Sequence, residues 1–264
     1  MKKILLTLFD EKSQNVGANI ISQLKKYGLD VNAHLYIDDT KNLSFIHIKN
    51  ELLSSDISLW AIVFDEKIYE PSVCYAFSLL SIYCQTTINC PVVLLYKDNT
   101  SILFDKFTTS LSLIDKIPLL PNFGSKIVAK IYKNKPSAID YRLNFWGNEQ
   151  IGQWLEIGPT NVEWNGAMFG INKGRILFQA VGKKGGLPEK SILNYPLQDM
   201  RFTIGKIEFT GWALQNVIRP DCSYYIKIDG FPDLMVFGPF SGSDENVDAY
   251  SIELKKIVSE SVTE

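Results

Sequence analysis

Three groups of residues have types and spacings that could do chemistry. The first is acidic: Asp10 and Glu11 follow the apolar run Ile4 to Phe9, Asp38 and Asp39 follow Val31 to Ile37, and Asp65 and Glu66 follow Ile57 to Phe64. Carboxylates at the ends of buried strands can hold a divalent cation or act as general acid and base, which makes Asp10, Asp65 and Glu66 candidates. The second is basic: Lys183-Lys184-Gly185-Gly186, with Lys190 beyond it and Lys173 and Arg175 before it. Adjacent lysines supply charge-assisted hydrogen bonds to a phosphate, and the glycines let backbone approach it closely. The third is the thiols and imidazoles. Cys74, Cys84, Cys90 and Cys222 show no CxxC spacing and no neighbouring histidine, so no metal or cofactor is expected and buried free thiols are the simplest reading. His34 stands in an alternating, strand-like run and His47 in a helix-like one, which favours structural over catalytic roles for both.

Other chemistries are excluded by what the sequence lacks. No GxGxxG follows the first apolar run and no GxxxxGK[ST] occurs, so neither a dinucleotide fingerprint nor a P-loop is present. Basic residues number 27 and acidic 29, leaving a net charge of −2 and no field that would draw in nucleic acid. Residues 1 to 135 hold 15 basic against 13 acidic residues and the remainder 12 against 16, so neither half is a basic platform. With 46% hydrophobic residues in 264, the chain can bury a large core and is long enough for two domains. Met1-Lys2-Lys3 and the apolar residues after it read as a strand and not a signal peptide, since the run stops at Asp10-Glu11 without a cleavage site. No stretch approaches the ~18–20 apolar residues of a transmembrane helix. A cytoplasmic protein with no transmembrane segment is the expectation.

The elements that must position these residues differ between the halves. In the first, strands at Lys3 to Phe9, Val31 to Ile37, Ile57 to Phe64, Pro91 to Tyr96 and Ile117 to Leu120 alternate with helical patterns. These run from Val16 to Tyr27, Leu43 to Leu53, Pro71 to Cys84, within Ile102 to Ile114, and from Gly124 to Tyr132. Five β-α units in residues 1–135 predict a doubly wound parallel sheet of the flavodoxin-like class, with ligands beyond the carboxyl ends of its strands. Asn134-Lys135-Pro136-Ser137 breaks the pattern and sets a domain boundary near residue 136.

Residues 136–264 turn to short apolar runs with frequent glycine, proline and aromatics, which predicts antiparallel β structure. Strands are expected at Gln153 to Ile157, Asn161 to Ile171, Arg175 to Val181, Ile192 to Pro196, Met200 to Ile204, Lys206 to Leu214, Tyr224 to Ile228 and Leu234 to Phe237. A C-terminal helix is expected with Val247, Tyr250, Leu254, Ile257 and Val258 on one face. Trp146, Trp154, Trp164 and Trp212 are expected in the core and at the domain interface.

Three resemblances bear on function. Ser54-Ser55-Asp56 before the third strand and Tyr69-Glu70-Pro71-Ser72-Val73-Cys74 entering a helix resemble the middle of TIR-type domains. Enzymatic TIR domains carry a glutamate soon after that Cys, acting on the nicotinamide ribose of NAD; here Tyr75, Ala76, Phe77 and Ser78 follow. The same half resembles a response-regulator receiver, which implies Asp65 as phosphate acceptor with Asp10 and Glu11 as the acidic pair. Tyr96 stands where receivers have a small Ser or Thr, and Pro121-Asn122-Phe123 offers no lysine. In the second half, Gly166 to Phe178 and Tyr195-Pro196-Leu197-Gln198-Asp199-Met200 resemble strands of PH-like and GRAM-type domains. That likeness implies a phosphate or anionic-lipid site on Lys173, Arg175, Lys183, Lys184 and Lys190. The resulting expectation is a non-enzymatic recognition or adaptor protein with a protein partner, an anionic ligand on the PH-like module, no nucleic acid, and homo-oligomerisation left open. The alternative is an enzyme processing a nucleotide or sugar at the acidic rim of Asp10, Asp65 and Glu66.

Overall fold

In the first half the apolar runs pair as parallel strands. The computed structural model describes residues 1–10, 13–54, 56–97, 104, 107–133, 139–240 and 249–255. Strands β1 (Lys2–Leu8), β2 (Leu29–Leu35), β3 (Ile57–Val63), β4 (Val92–Tyr96) and β5 (Asp115–Pro118) form an all-parallel sheet in the order β2-β1-β3-β4-β5. Helices α1 (Gln14–Lys25), α2 (Phe45–Ser54), α3 (Pro71–Tyr83) and α4 (Thr109–Ser112) lie between successive strands, and α5 (Phe123–Tyr132) follows β5. Alternation along β1 decides which helices cover which face. Ile4, Leu6 and Leu8 join Ile20, Leu24, Ile127 and Ile131 of α1 and α5 in one cluster, while Leu5 and Phe9 join residues of α2 and α3 in another. This is a doubly wound, flavodoxin-like sheet, and its order reverses between β1 and β3. The fifth strand comes earlier than the apolar run Ile117 to Leu120 suggests, and only α4 of the expected 102–114 helix falls on described residues.

Helix α3 organises the whole molecule. Pro71 starts it at a position that needs no amide hydrogen, and a π turn, Cys84–Ile88, ends it at Asn89 in the left-handed region, φ 50°. Every residue from Val73 to Tyr83 is buried. A helix with no charged residue and its buried serine hydroxyls hydrogen-bonded, Ser78 to Thr108 and Ser81 to the Ser78 carbonyl, can be covered on all sides, and here the second covering layer comes from the other half of the chain.

That half consists of nine strands: β6 (Tyr141–Asn148), β7 (Gly152–Pro159), β8 (Trp164–Ile171), β9 (Arg175–Lys183), β10 (Leu197–Ile204), β11 (Ile207–Ile218), β12 (Cys222–Asp229), β13 (Leu234–Gly238) and β14 (Tyr250–Glu253). They make two antiparallel sheets, β6-β7-β12-β9 and β10-β11-β8-β13-β14, whose inner faces share a core that includes Leu155, Ile226, Phe169, Leu214 and Phe237. The β8–β9 turn needs glycine: Gly174 has φ +89°, and a Cβ there would lie 2.5 Å from the Asp229 carbonyl oxygen.

Three expectations change. Tyr250, placed on the C-terminal helix, instead begins strand β14, which pairs with β13; Val247, Ile257 and Val258 lie outside the described residues. The reason is that Ile252 and Leu254 are buried while Ser251 is exposed, a period-two pattern that suits the open edge of β13. Ile192 to Pro196 is a loop held by Gln215 N donating to Asn194 O (2.8 Å) and Asn216 Nδ2 to Ile192 O (2.9 Å), so its polar groups are satisfied without a ladder. Strand β6 has no counterpart in the expected set, although Leu143 and Phe145 alternate inward along it.

The two halves meet over one continuous apolar cluster. Phe145 of β6 packs on Phe45 and Tyr83, each at 5.5 Å between ring centroids, and Tyr75 packs on Phe231 at 5.1 Å. Thr87 Oγ1 donates to Leu143 O (2.6 Å) and Ser110 Oγ to Glu253 O (2.8 Å). The expected boundary near residue 136 falls among residues 134–138, outside the described residues.

Candidate functional site

Asp10 and Asp65 border a single cleft of about 260 Å³ at the carboxyl ends of β1, β3 and β4, with Ser13, Tyr96 and Lys97. This is the crevice where the strand order reverses. Both carboxylates also shape local backbone: Asp10 accepts from Ser13 N at 2.9 Å, and Asp65 from Lys67 N at 2.9 Å. Glu66 sits exposed on the short 3-10 turn that follows and does not line the cleft. Among the described residues, no group of three or more His, Cys, Asp or Glu could hold a metal ion.

The basic set divides in two. Lys173 is ion-paired with Asp233 (2.5 Å) and Arg175 with Asp229 (2.6 Å) at the start of β9, whereas Lys183 ends that strand. Eight residues of extended chain separate Arg175 from Lys183, about 26 Å. One headgroup cannot be held by all five residues. Lys183, Lys184 and Lys190 are exposed and make no ion pair among the described residues. The Lys183 to Gly185 backbone is anchored and not a free hairpin tip: Lys184 N donates to Asp221 O (3.0 Å), Tyr225 OH to Lys183 O (2.6 Å) and Gly185 N to Glu156 Oε1 (2.8 Å).

His34 belongs to a hydroxyl, imidazole and carboxylate series. Its Nε2 lies 2.8 Å from Thr7 Oγ1 and its Nδ1 2.9 Å from Glu51 Oε2, while Trp60 Nε1 donates to Thr7 Oγ1 at 2.9 Å. The order matches that of an acyl-transfer triad, but Thr7 is wholly buried in β1, an interior strand of the sheet, where no substrate carbonyl can reach it. With Trp60 donating to it, the Thr7 hydroxyl donates onward to Nε2 and leaves Nδ1–H for Glu51, so each group is satisfied. Thr7→Val is expected to destabilise the fold by about 1–3 kcal/mol, since it orphans the Trp60 N–H and one imidazole nitrogen. Urea unfolding measures it, and an unchanged midpoint would remove the network from the stability account.

Two ions are buried, Lys49 where the halves meet and Glu156 within the β half. Lys49 of α2 is 2% exposed; its Nζ donates to Phe145 O and sits 4.0 Å from the centre of the Trp146 ring. Burial pulls its pKa down to about 8, against a smaller upward pull from Glu156. Glu156, also 2% exposed, accepts from Asn144 Nδ2 (2.9 Å), Trp146 Nε1 (3.0 Å), Ser223 Oγ (2.9 Å) and Gly185 N (2.8 Å). The sequence carries a sign of Lys49, which shares the apolar face of α2 with Phe45, Ile48 and Leu52. Nothing local marks Glu156, which is buried by the folding back of the Lys183 to Gly186 loop.

The expectation of buried thiols holds for three of the four: Cys222 is half-buried, and burial, helped by Asp221, raises its thiol pKa. Cys74, Cys84 and Cys90 are buried, and burial, reinforced by Cys90, pushes the Cys84 thiol well above its usual range. Of the tryptophans, Trp164 and Trp212 are core and Trp146 carries Lys49 at the interface. Trp154 departs from expectation: it is half-buried on the outer face of the four-stranded sheet, beside Lys227 and Phe178.

No helix of the described residues is long and apolar enough to cross a membrane. No family model and no curated protein matches the sequence.

Proposed function

We propose that this chain is a non-enzymatic recognition protein, in which the flavodoxin-like half, with its likeness to TIR and receiver modules, is a scaffold and the β half presents the binding surface. The observation that carries this reading is the burial of α3. Where enzymatic TIR helices carry a glutamate soon after the Cys, this helix has Tyr75, Ala76, Phe77 and Ser78, all buried, with Tyr75 hydrogen-bonded by Gln153 Nε2 of β7 and packed on Phe231. A helix face committed to the second half is closed to a dinucleotide. The rim cleft supports the same reading, since Asp10 and Asp65 each cap a turn. The partner is a protein or an anionic small molecule in the cytoplasm, engaged by the PH-like half.

Incubation with NAD and a panel of nucleotides, followed by chromatography for nicotinamide and phosphate, is expected to give no turnover above a no-protein control. Turnover abolished by Asp10→Asn or Asp65→Asn would replace this reading with an enzyme acting at the rim.

A further inference from the structure

The outer face of the sheet β6-β7-β12-β9 carries a row of side chains that strand register brings together from distant parts of the chain. Lys227 of β12 stands directly opposite Trp154 on one neighbouring strand and Phe178 on the other. The two rings lie 5.9 Å apart in a T-shaped arrangement, Phe178 is 53% exposed, and Trp154 Nε1 donates to Ile151 O (3.1 Å), which fixes the indole. The Leu187 to Leu193 segment rises beside this floor and encloses a cleft of about 430 Å³, to which it contributes Pro188, Glu189 and Ser191. That volume falls in the range of small-molecule sites. The segment is held in place, since Val181 N donates to Ser191 Oγ at 2.7 Å.

We infer that this cleft is a binding site for a phosphorylated sugar or a nucleoside monophosphate, that is, a ring bearing hydroxyls and one phosphate. Each part of such a ligand has a counterpart. The ring face stacks on Phe178, the more exposed of the two aromatics, with Trp154 set at 66° to it as a side wall. Glu189 and Ser191 provide acceptors for ring hydroxyls. Lys227, half-buried and without an ion pair among the described residues, provides the cation for the phosphate. Gly152 leaves room for the lysine: a Cβ there would lie 3.1 Å from Lys227 Cε. The site is separate from the Lys183–Lys184 pair and rests on the recognition reading above.

Calorimetry and tryptophan fluorescence with AMP and glucose 6-phosphate, against adenosine, glucose and inorganic phosphate, test it. One or both phosphorylated rings are expected to bind at least about tenfold more tightly than the uncharged rings or phosphate alone. Lys227→Met and Phe178→Ala, which leave the core intact, are each expected to weaken binding by about tenfold or more with an unchanged circular dichroism spectrum. Failure of both phosphorylated rings to bind at millimolar concentration, or binding unchanged in both variants, overturns the site while leaving recognition of a protein partner standing. The bound samples are also analysed for products. Conversion of the probe would overturn the non-enzymatic reading and not the location of the site.

Discussion

Replacing Glu156 with alanine is expected to lower the unfolding free energy by about 3–5 kcal/mol. Its carboxylate is almost wholly buried and accepts four hydrogen bonds, from Asn144, Trp146, Ser223 and the Gly185 amide. Removing it leaves four donors without their acceptor. It also withdraws a negative charge that favours the charged forms of buried Lys49 and of Arg142, whose Nη2 reaches Ser223 Oγ at 3.0 Å. Glu156→Gln keeps the shape but turns an NH₂ toward two of those donors, and should lose roughly half as much. Urea denaturation gives the energies, and amide exchange at Gly185 should quicken as the Lys183 to Gly186 loop is released from the sheet. A loss below about 1 kcal/mol for the alanine variant would mean that the cluster only fills space.

Lys49 should make stability rise with pH. Burial lowers its pKa to about 8 in the fold, while the unfolded chain keeps the ordinary value of 10.5. Between these values the unfolded state binds more protons, so unfolding becomes harder as pH increases. At about 1.4 kcal/mol per unit, the gain between pH 7 and pH 10 is about 2–3 kcal/mol. Buried tyrosines such as Tyr75 and Tyr83 stay protonated in the fold, because burial raises their pKa, and they act in the opposite sense above about pH 10. The quantity to read is therefore wild type minus Lys49→Met over pH 7 to 10, in which these other groups cancel. A flat difference would place the ammonium in contact with water.

Part of the candidate site is legible in the sequence. Acidic residues after apolar runs point to the rim, and the fold brings Asp10 and Asp65 into one cleft because both strands end at the same side of a parallel sheet. Glu66 is not separable from Asp65 by sequence, since which of two adjacent acids faces a cleft depends on the turn that follows. The five basic residues resemble one patch because they are near in sequence. A strand holds its ends apart, and Asp229 and Asp233, more than fifty residues away, neutralise two of them.

What the sequence determined by itself is the set of local periods: alternating β and α patterns for the parallel sheet, and short two-fold patterns for the β half. Tertiary structure decided how those pieces meet. Tyr250 and Leu254 fit one helical face and equally alternate along a strand, and the open edge of β13 settled the choice. Lys49 against Trp146, Glu156 beneath the Gly185 loop, and Lys227 between Trp154 and Phe178 are all contacts between residues far apart in the chain. Local pattern is written by the backbone repeat and the hydrophobic effect within a few residues. Sites of this kind are written by register and docking, where one long-range pairing sets which side chains face each other.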